Sequence, residues 1–122
     1  MRLLVVDDSA MNVEFLVDAL ATDGHAVAVE RDGVSGRDRA LAERFDLILL
    51  DVQMPGLDGI AVLRELRERG VTTPILALSA AAMPEQIARG RAAGFDDYLT
   101  KPISLQALRD AVRRHARADG SA

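Results

Sequence analysis

The sequence contains no cysteine, and this absence excludes several chemistries at once. Disulfide bonds, thiolate catalysis and cysteine-based zinc sites are all ruled out. No apolar run approaches the roughly 20 residues that a membrane-spanning helix needs. The first apolar run, Leu3–Val6, is followed at once by the acidic pair Asp7-Asp8, too early for a signal peptide. We therefore expect a cytoplasmic protein that does not insert into a membrane.

Positive charges are outnumbered by negative ones, and phosphate-binding glycine motifs are missing. The chain has 15 Lys and Arg residues against 19 Asp and Glu residues, which gives a formal net charge of −4. This balance argues against the nucleic-acid backbone as a direct partner. No GxGxxG or Walker pattern follows an apolar run, so a loop that cradles phosphates is not expected. A flavodoxin-type FMN site is disfavoured because the segment after the first run is acidic.

What the chain does contain is a regular alternation of short apolar runs and helical patterns. Its 122 residues, 49% of them hydrophobic, suit one globular domain with a core. Five strand-like runs each precede a segment with apolar residues at helical spacing. The runs are Leu3–Val6, Ala26–Glu30, Leu47–Leu50, Ile75–Ser79 and Asp97–Thr100. Such alternation predicts an α/β fold with a parallel sheet and helices on both faces.

Polar side chains stand where the predicted strands end. They are Asp7, Asp8, Asp51, Ser79 and Lys101. Taken alone, Asp51 is explained equally well as a residue that caps the following turn. However, the carboxyl ends of parallel strands meet at one edge of a sheet, and open α/β sheets bind ligands there. We therefore expect these five side chains to be neighbours.

The chemistry of this cluster points to phosphoryl transfer. Three carboxylates and one lysine leave a formal charge of about −2, which a divalent cation balances. Ligands that are all oxygens favour Mg²⁺. A carboxylate beside such a cation can attack a phosphorus atom, while a hydroxyl and an ammonium contact the remaining phosphoryl oxygens. These roles fit Asp51, Ser79 and Lys101 respectively.

Four short motifs carry a family resemblance. They are Val5-Val6-Asp7-Asp8, Leu49-Leu50-Asp51-Val52-Gln53-Met54-Pro55-Gly56, Leu78-Ser79-Ala80 and Asp97-Tyr98-Leu99-Thr100-Lys101-Pro102. In this order they resemble the signatures of the response-regulator receiver domain of two-component and phosphorelay signalling. The resemblance implies a flavodoxin-like (βα)5 fold, a doubly wound parallel five-stranded sheet in the order 2-1-3-4-5. We expect one receiver domain over residues 1–118, with a frayed tail at 119–122 and no effector domain.

The resemblance further assigns roles within the site. Asp51 is then the phosphoacceptor, and Mg²⁺ is bound directly by Asp8, Asp51 and the main-chain carbonyl of Gln53, with Asp7 acting through water. Ser79 and Tyr98 form the switch that reports phosphorylation. The Lys101–Pro102 peptide bond is expected to be cis, which proline makes accessible.

The expected partners follow from the same resemblance. A histidine kinase or histidine phosphotransfer protein supplies the phosphoryl group, and a downstream protein target reads the result. The chain is then a self-phosphorylating and self-dephosphorylating switch instead of a turnover enzyme, present as a monomer or weak homodimer. A stand-alone regulator and a fragment of a hybrid kinase both remain open.

A Mg²⁺-dependent hydrolase of small phosphoesters is the alternative function. Haloacid-dehalogenase-like enzymes place a second aspartate two residues after the nucleophile of the first strand. Here the order Asp7-Asp8-Ser9-Ala10 places it one residue too early. The chain also lacks an insertion that would enclose a small substrate.

Two surface features complete the expectations. Met11 and Phe15 lie off the predicted core stripe of the first helix, near the acidic cluster. They either tuck into the periphery of the core or form, with Asn12 at the rim, an apolar docking patch for a partner's helices. The pair Asp96-Asp97 precedes a strand, at the edge opposite the acidic cluster, and we expect it to be solvated surface.

Overall fold

The computed structural model describes residues 1–54, 57–80 and 83–115. In chain order the elements are β1 (Arg2–Val6), α1 (Ala10–Thr22), β2 (Ala26–Glu30), α2 (Gly33–Ala42), β3 (Leu47–Asp51), α3 (Gly59–Glu68), β4 (Ile75–Ser79), α4 (Pro84–Ala93), β5 (Asp97–Thr100) and α5 (Leu105–His115). The five strands pair in parallel in the order β2-β1-β3-β4-β5. The predicted flavodoxin-like fold is confirmed. The tail expected at 119–122 lies outside the described residues.

Alternate side chains of the central strands fill two separate cores, one on each face of the sheet. Leu3 and Val5 face a core that receives leucines from α1 and α5. Leu4 and Val6 face the opposite core, which is built with α2 and α3. Every residue of β3 and β4 is buried, as expected for strands covered on both faces. Each fully buried leucine contributes about 1.5–3 kcal/mol of hydrophobic stabilisation, so the sheet is a rigid platform for its ends.

Side-chain caps start α1, α2, α3 and α5 at the edge where the strands end. Asp32 Oδ1 accepts a hydrogen bond from Ser35 N at 2.8 Å, and Asp58 Oδ1 accepts one from Ala61 N at 2.9 Å. Ser9 caps α1 directly after the acidic pair. Each cap stabilises its helix by about 1 kcal/mol and fixes where the loop ends. Among the helices of the described ranges, none is long and apolar enough to cross a membrane.

The expectation that Asp97 is solvated surface is wrong. Its side chain is only 19% exposed, and its Oδ2 lies 2.8 Å from His115 Nε2 and 2.9 Å from Arg114 Nη2. Burial by itself raises the pKa of Asp97, but hydrogen bonds from the Tyr98 N–H, His115 and Arg114 outweigh it and hold the pKa below its ordinary value. The reason is tertiary, because the end of α5 packs over the start of β5.

Candidate functional site

The strand ends deliver the predicted polar residues to one edge of the sheet. Asp51 is the last residue of β3 and is 3% exposed, and Ser79 is the last residue of β4 and is 5% exposed. Asp7 directly follows β1 and is fully buried. Lys101 directly follows β5, and its N–H donates to the Ser79 carbonyl oxygen at 2.9 Å. Its peptide bond to Pro102 is cis.

Three carboxylates converge at this edge. Asp7, Asp8 and Asp51 each offer one oxygen, and these oxygens lie within 4.8 Å of one another. The backbone orients the two buried acids, since Ser9 N donates to Asp7 Oδ1 at 2.9 Å and Gln53 N donates to Asp51 Oδ1 at 3.1 Å. Asp8 is exposed, so the cluster opens to solvent on one side.

Lys101 supplies the positive charge of the cluster. Its Nζ lies 3.3 Å from Asp7 Oδ2 and 3.2 Å from Asp51 Oδ2. Burial and the negative charge of Asp7 raise the pKa of Asp51 to about 6, although the Gln53 N–H and Lys101 act in the opposite direction. One ammonium group therefore does not fully compensate these carboxylates.

The donor set fits a hard divalent cation. Asp7 Oδ2 is buried and has no hydrogen-bond partner among the described residues, and Lys101 Nζ at 3.3 Å is an ion-pair contact without hydrogen-bond geometry. A buried oxygen of this kind is costly unless a cation or an ordered water satisfies it. Three carboxylates with one open side match the few protein ligands and several waters that Mg²⁺ prefers.

The aromatic residue of the last motif lies against α4. The Tyr98 hydroxyl donates to the Gln86 carbonyl oxygen at 3.1 Å. Its ring meets the Phe95 ring edge to face, with the ring centroids 5.6 Å apart. A cleft of about 570 Å³ opens beside it, with Tyr98, Ser79 and Met54 among its lining residues. Tyr98 and Ser79 therefore border the same space.

The first turns of α1 carry an exposed apolar patch next to the acidic cluster. Met11 is 82% exposed and Phe15 is 37% exposed, while Asn12 is half-buried beside them. Met11 does not tuck into the periphery of the core. Phe15 also borders a shallow groove of about 300 Å³ that Leu105 of α5 lines from the other side.

Two residues at this edge were not predicted from the sequence. Arg31 directly follows β2, and its Nη2 donates to the Asp8 carbonyl oxygen at 3.0 Å. The rule that strand ends converge applies to β2 as well and would have identified Arg31. Gly59 packs against the chain after β3, where an added Cβ would lie 2.2 Å from the Asp51 carbonyl oxygen. The capping signal of Asp58 marks the helix start but not this close approach.

Known proteins are similar to this chain in sequence and in fold. The family model of the response regulator receiver domain matches residues 3–113. Response regulator MprA of Mycobacterium avium (strain 104) is 44% identical over 108 residues, which are 88% of this chain and 47% of MprA. The chain thus spans about half the length of the MprA proteins that it matches.

Solved structures show the same similarity. The chemotaxis protein CheY4 of Vibrio cholerae superposes with a TM-score of 0.88 at 31% identity, covering 93% of this chain and 97% of CheY4. The receiver domain of the sensor histidine kinase PA1611 of Pseudomonas aeruginosa PAO1 superposes with a TM-score of 0.85 at 34% identity, covering 93% and 95%, and it coordinates a magnesium ion in its active-site cleft. With the family model spanning nearly the whole sequence, this chain belongs to the response regulator receiver domains of two-component signalling.

Proposed function

We propose that Asp51 accepts a phosphoryl group from a phosphohistidine on a histidine kinase or histidine phosphotransfer protein. The observation that carries this proposal is the position of the Asp51 carboxylate. It is buried at the end of β3, with Asp7 and Asp8 on one side and Lys101 Nζ at 3.2 Å. In this position the Lys101 ammonium attracts the negatively charged phosphoryl group, and burial keeps water from competing with the Asp51 carboxylate as the nucleophile.

The transfer step needs an ionised Asp51. One carboxylate oxygen forms a bond to phosphorus while the phosphorus–nitrogen bond of the phosphohistidine breaks, and the imidazole leaves with the electron pair. The product is an acyl phosphate on Asp51 and a free histidine on the donor. Later attack by water on phosphorus returns the carboxylate and releases phosphate, which makes the domain a resettable switch instead of a turnover enzyme. With a pKa of about 6, Asp51 is mostly ionised at neutral pH.

Magnesium is the cofactor that the donor set favours. Asp8, Asp51 and the Gln53 main-chain carbonyl would hold it directly, and Asp7 would hold it through water. When bound, Mg²⁺ neutralises phosphoryl oxygens. The buried, unsatisfied Asp7 Oδ2 and the magnesium-bound PA1611 receiver domain support this assignment.

Ser79, Lys101 and Tyr98 would convert phosphorylation into a change of surface. The Ser79 hydroxyl and Lys101 Nζ would contact phosphoryl oxygens, which would add charge-assisted hydrogen bonds on phosphorylation. Movement of Ser79 toward the phosphoryl group leaves room in the shared cleft for the Tyr98 ring. The surface of α4, β5 and α5 then changes, and a downstream protein target reads it.

Met11, Asn12 and Phe15 would receive the phosphoryl donor. The exposure of Met11 and Phe15 and the place of all three residues on α1, close after the acidic pair, support an apolar docking patch for helices of the kinase or phosphotransfer protein. A donor seated there presents its phosphohistidine to the open side of the cluster.

Intact-mass spectrometry after incubation with acetyl phosphate tests the proposal. We expect a gain of one phosphoryl group with Mg²⁺, little gain with EDTA and no gain for Asp51→Asn. Steady Mg²⁺-dependent release of phosphate that survives Asp51→Asn, with no phosphoprotein, would refute the proposal and favour a hydrolase.

A further inference from the structure

Gly90 is the one buried residue of α4 within the described part of the chain, and it lies against the hydroxyl end of the Tyr98 ring. A Cβ added at Gly90 would lie 1.5 Å from the Tyr98 hydroxyl oxygen, 2.6 Å from Cζ and 3.0 Å from Cε1. The first two distances are shorter than any non-bonded contact of a real Cβ atom, and the third is at the lower limit of such contacts. The present position of the ring therefore requires glycine at position 90.

A side chain at position 90 collides with the tip of Tyr98 and not with a backbone. All three close atoms belong to the far end of the ring, which moves by rotation about its own side-chain bonds. The backbone of α4 has no such freedom, because its hydrogen bonds and the cap at Gly94 hold it. A methyl group at position 90 therefore displaces the ring and leaves the helix in place.

The cleft beside Tyr98 is the space available to a displaced ring. Its volume of about 570 Å³ is much larger than a phenol ring, and Ser79 and Met54 line it along with Tyr98. Ala77, the β4 residue paired with Tyr98, has a small side chain, and Ser79 lies two residues further along β4 on the same face of the sheet. A ring that leaves Gly90 thus moves toward Ser79.

We propose that Gly90 is a positioning residue for the switch, because its missing side chain provides the seat of the Tyr98 ring in the free protein. A side chain at this position shifts Tyr98 into the cleft beside Ser79 and thereby favours phosphoryl binding at Asp51. The second part rests on the function proposed above. Coupling between Ser79 and Tyr98 is reciprocal. If a bound phosphoryl group shifts the equilibrium between the two positions of the Tyr98 ring by some factor, then fixing the ring in the favoured position raises the affinity for that group by up to the same factor.

The fluorescence of Tyr98 tests the seat directly. The chain has one tyrosine and no tryptophan, so its intrinsic emission reports this ring alone. In the free protein we expect Gly90→Ala to lower acrylamide quenching of this emission, since the ring enters the cleft. Quenching that is unchanged or higher would overturn the proposal.

Calorimetric titration with beryllium fluoride and Mg²⁺, a non-covalent mimic of the phosphoryl group, tests the coupling. We expect Gly90→Ala to bind on the order of five-fold more tightly than wild type, a typical size for allosteric coupling. In a Tyr98→Ala background the same substitution must have no effect on affinity. A gain that persists without the Tyr98 ring would show that Gly90 acts otherwise.

Two controls separate position from helix propensity and from misfolding. Alanine is about 1 kcal/mol better than glycine within a helix, so the double variant Gly90→Ala/Ala88→Gly restores the propensity of α4 at an exposed position. This double variant must show the same lower quenching and the same tighter binding of the mimic as Gly90→Ala alone. If Gly90→Ala alone does not fold, the proposal requires that Tyr98→Ala restores folding, and failure of this rescue overturns it.

The outcomes also distinguish this inference from the proposed function. A wild-type chain that neither gains a phosphoryl group nor binds the mimic refutes the function and the coupling together, while quenching still decides whether Gly90 seats the ring. A wild-type chain that binds the mimic, beside a Gly90→Ala chain identical to it in both assays, refutes this inference alone.

Discussion

Replacing Asp51 by asparagine removes a negative charge that is buried beside Asp7. In the metal-free protein this charge is costly, as the pKa of Asp51 at about 6 shows against an ordinary value of 3.8. A pKa that folding raises means that folding favours the protonated form. The associated stability is fully present below pH 3.8 and is lost as the pH rises through 6. Asparagine is neutral at every pH and escapes this loss.

The size of the effect follows from the shift. At 1.36 kcal/mol per pKa unit, ionised Asp51 lowers the free energy of unfolding by about 3 kcal/mol at pH 8, and by about half that at pH 5, where the folded carboxyl is still largely protonated. In EDTA we therefore expect Asp51→Asn to be more stable than wild type at pH 8. Its advantage should be only about half as large at pH 5.

Urea unfolding followed by circular dichroism at both pH values measures this difference. Adding Mg²⁺ provides the control, because a ligand at 100 times its dissociation constant stabilises the native state by about 2.7 kcal/mol. Wild type should gain this stability and Asp51→Asn should gain much less, since it lacks one ligand. An Asp51→Asn chain that in EDTA is less stable than wild type, or whose advantage does not change with pH, would contradict the electrostatic argument.

Three further substitutions separate the parts of the domain. Lys101→Met, which removes the ammonium from between the two buried carboxylates, should slow phosphoryl uptake from acetyl phosphate at least about ten-fold in intact-mass assays without weakening Mg²⁺ binding by calorimetry. Asp97→Asn should lower the free energy of unfolding by about 1–3 kcal/mol, because two charge-assisted bonds to α5 are lost, whereas Asp110→Asn, at a carboxylate that is 44% exposed, should change it by less than about 0.5 kcal/mol. The double variant Met11→Ala/Phe15→Ala should leave acetyl phosphate uptake unchanged and slow transfer from a phosphohistidine protein, and equal slowing of both reactions would contradict a docking role.

The fold and the centre of the site were predictable because their signals are local. Short apolar runs that alternate with helical patterns allow one layered arrangement, and the parallel sheet then places every strand end at one edge. Asp7, Asp51 and Lys101 could therefore be grouped from the sequence, although Asp51 is 44 positions from Asp7 and 50 from Lys101. Arg31 obeys the same rule, because it directly follows β2 and contacts the Asp8 carbonyl oxygen at the same edge.

The tertiary structure decided what depends on packing between distant elements. The sequence around Asp97 does not predict that the last turn of α5 brings His115 and Arg114 into contact with it. This contact depends on how α5 packs across β5. The same holds for Gly90, because its role depends on its contact with the Tyr98 ring, eight residues later on β5. The exposure of Met11 could not be predicted either. Helical spacing places Met11 near the border between the buried and the exposed face of α1, and only the packing of neighbouring elements decides on which face it lies. The sequence by itself thus determined the order of the elements and the chemistry at the sheet edge. The packed chain determined the surroundings of that chemistry, because contacts between distant elements leave no local pattern.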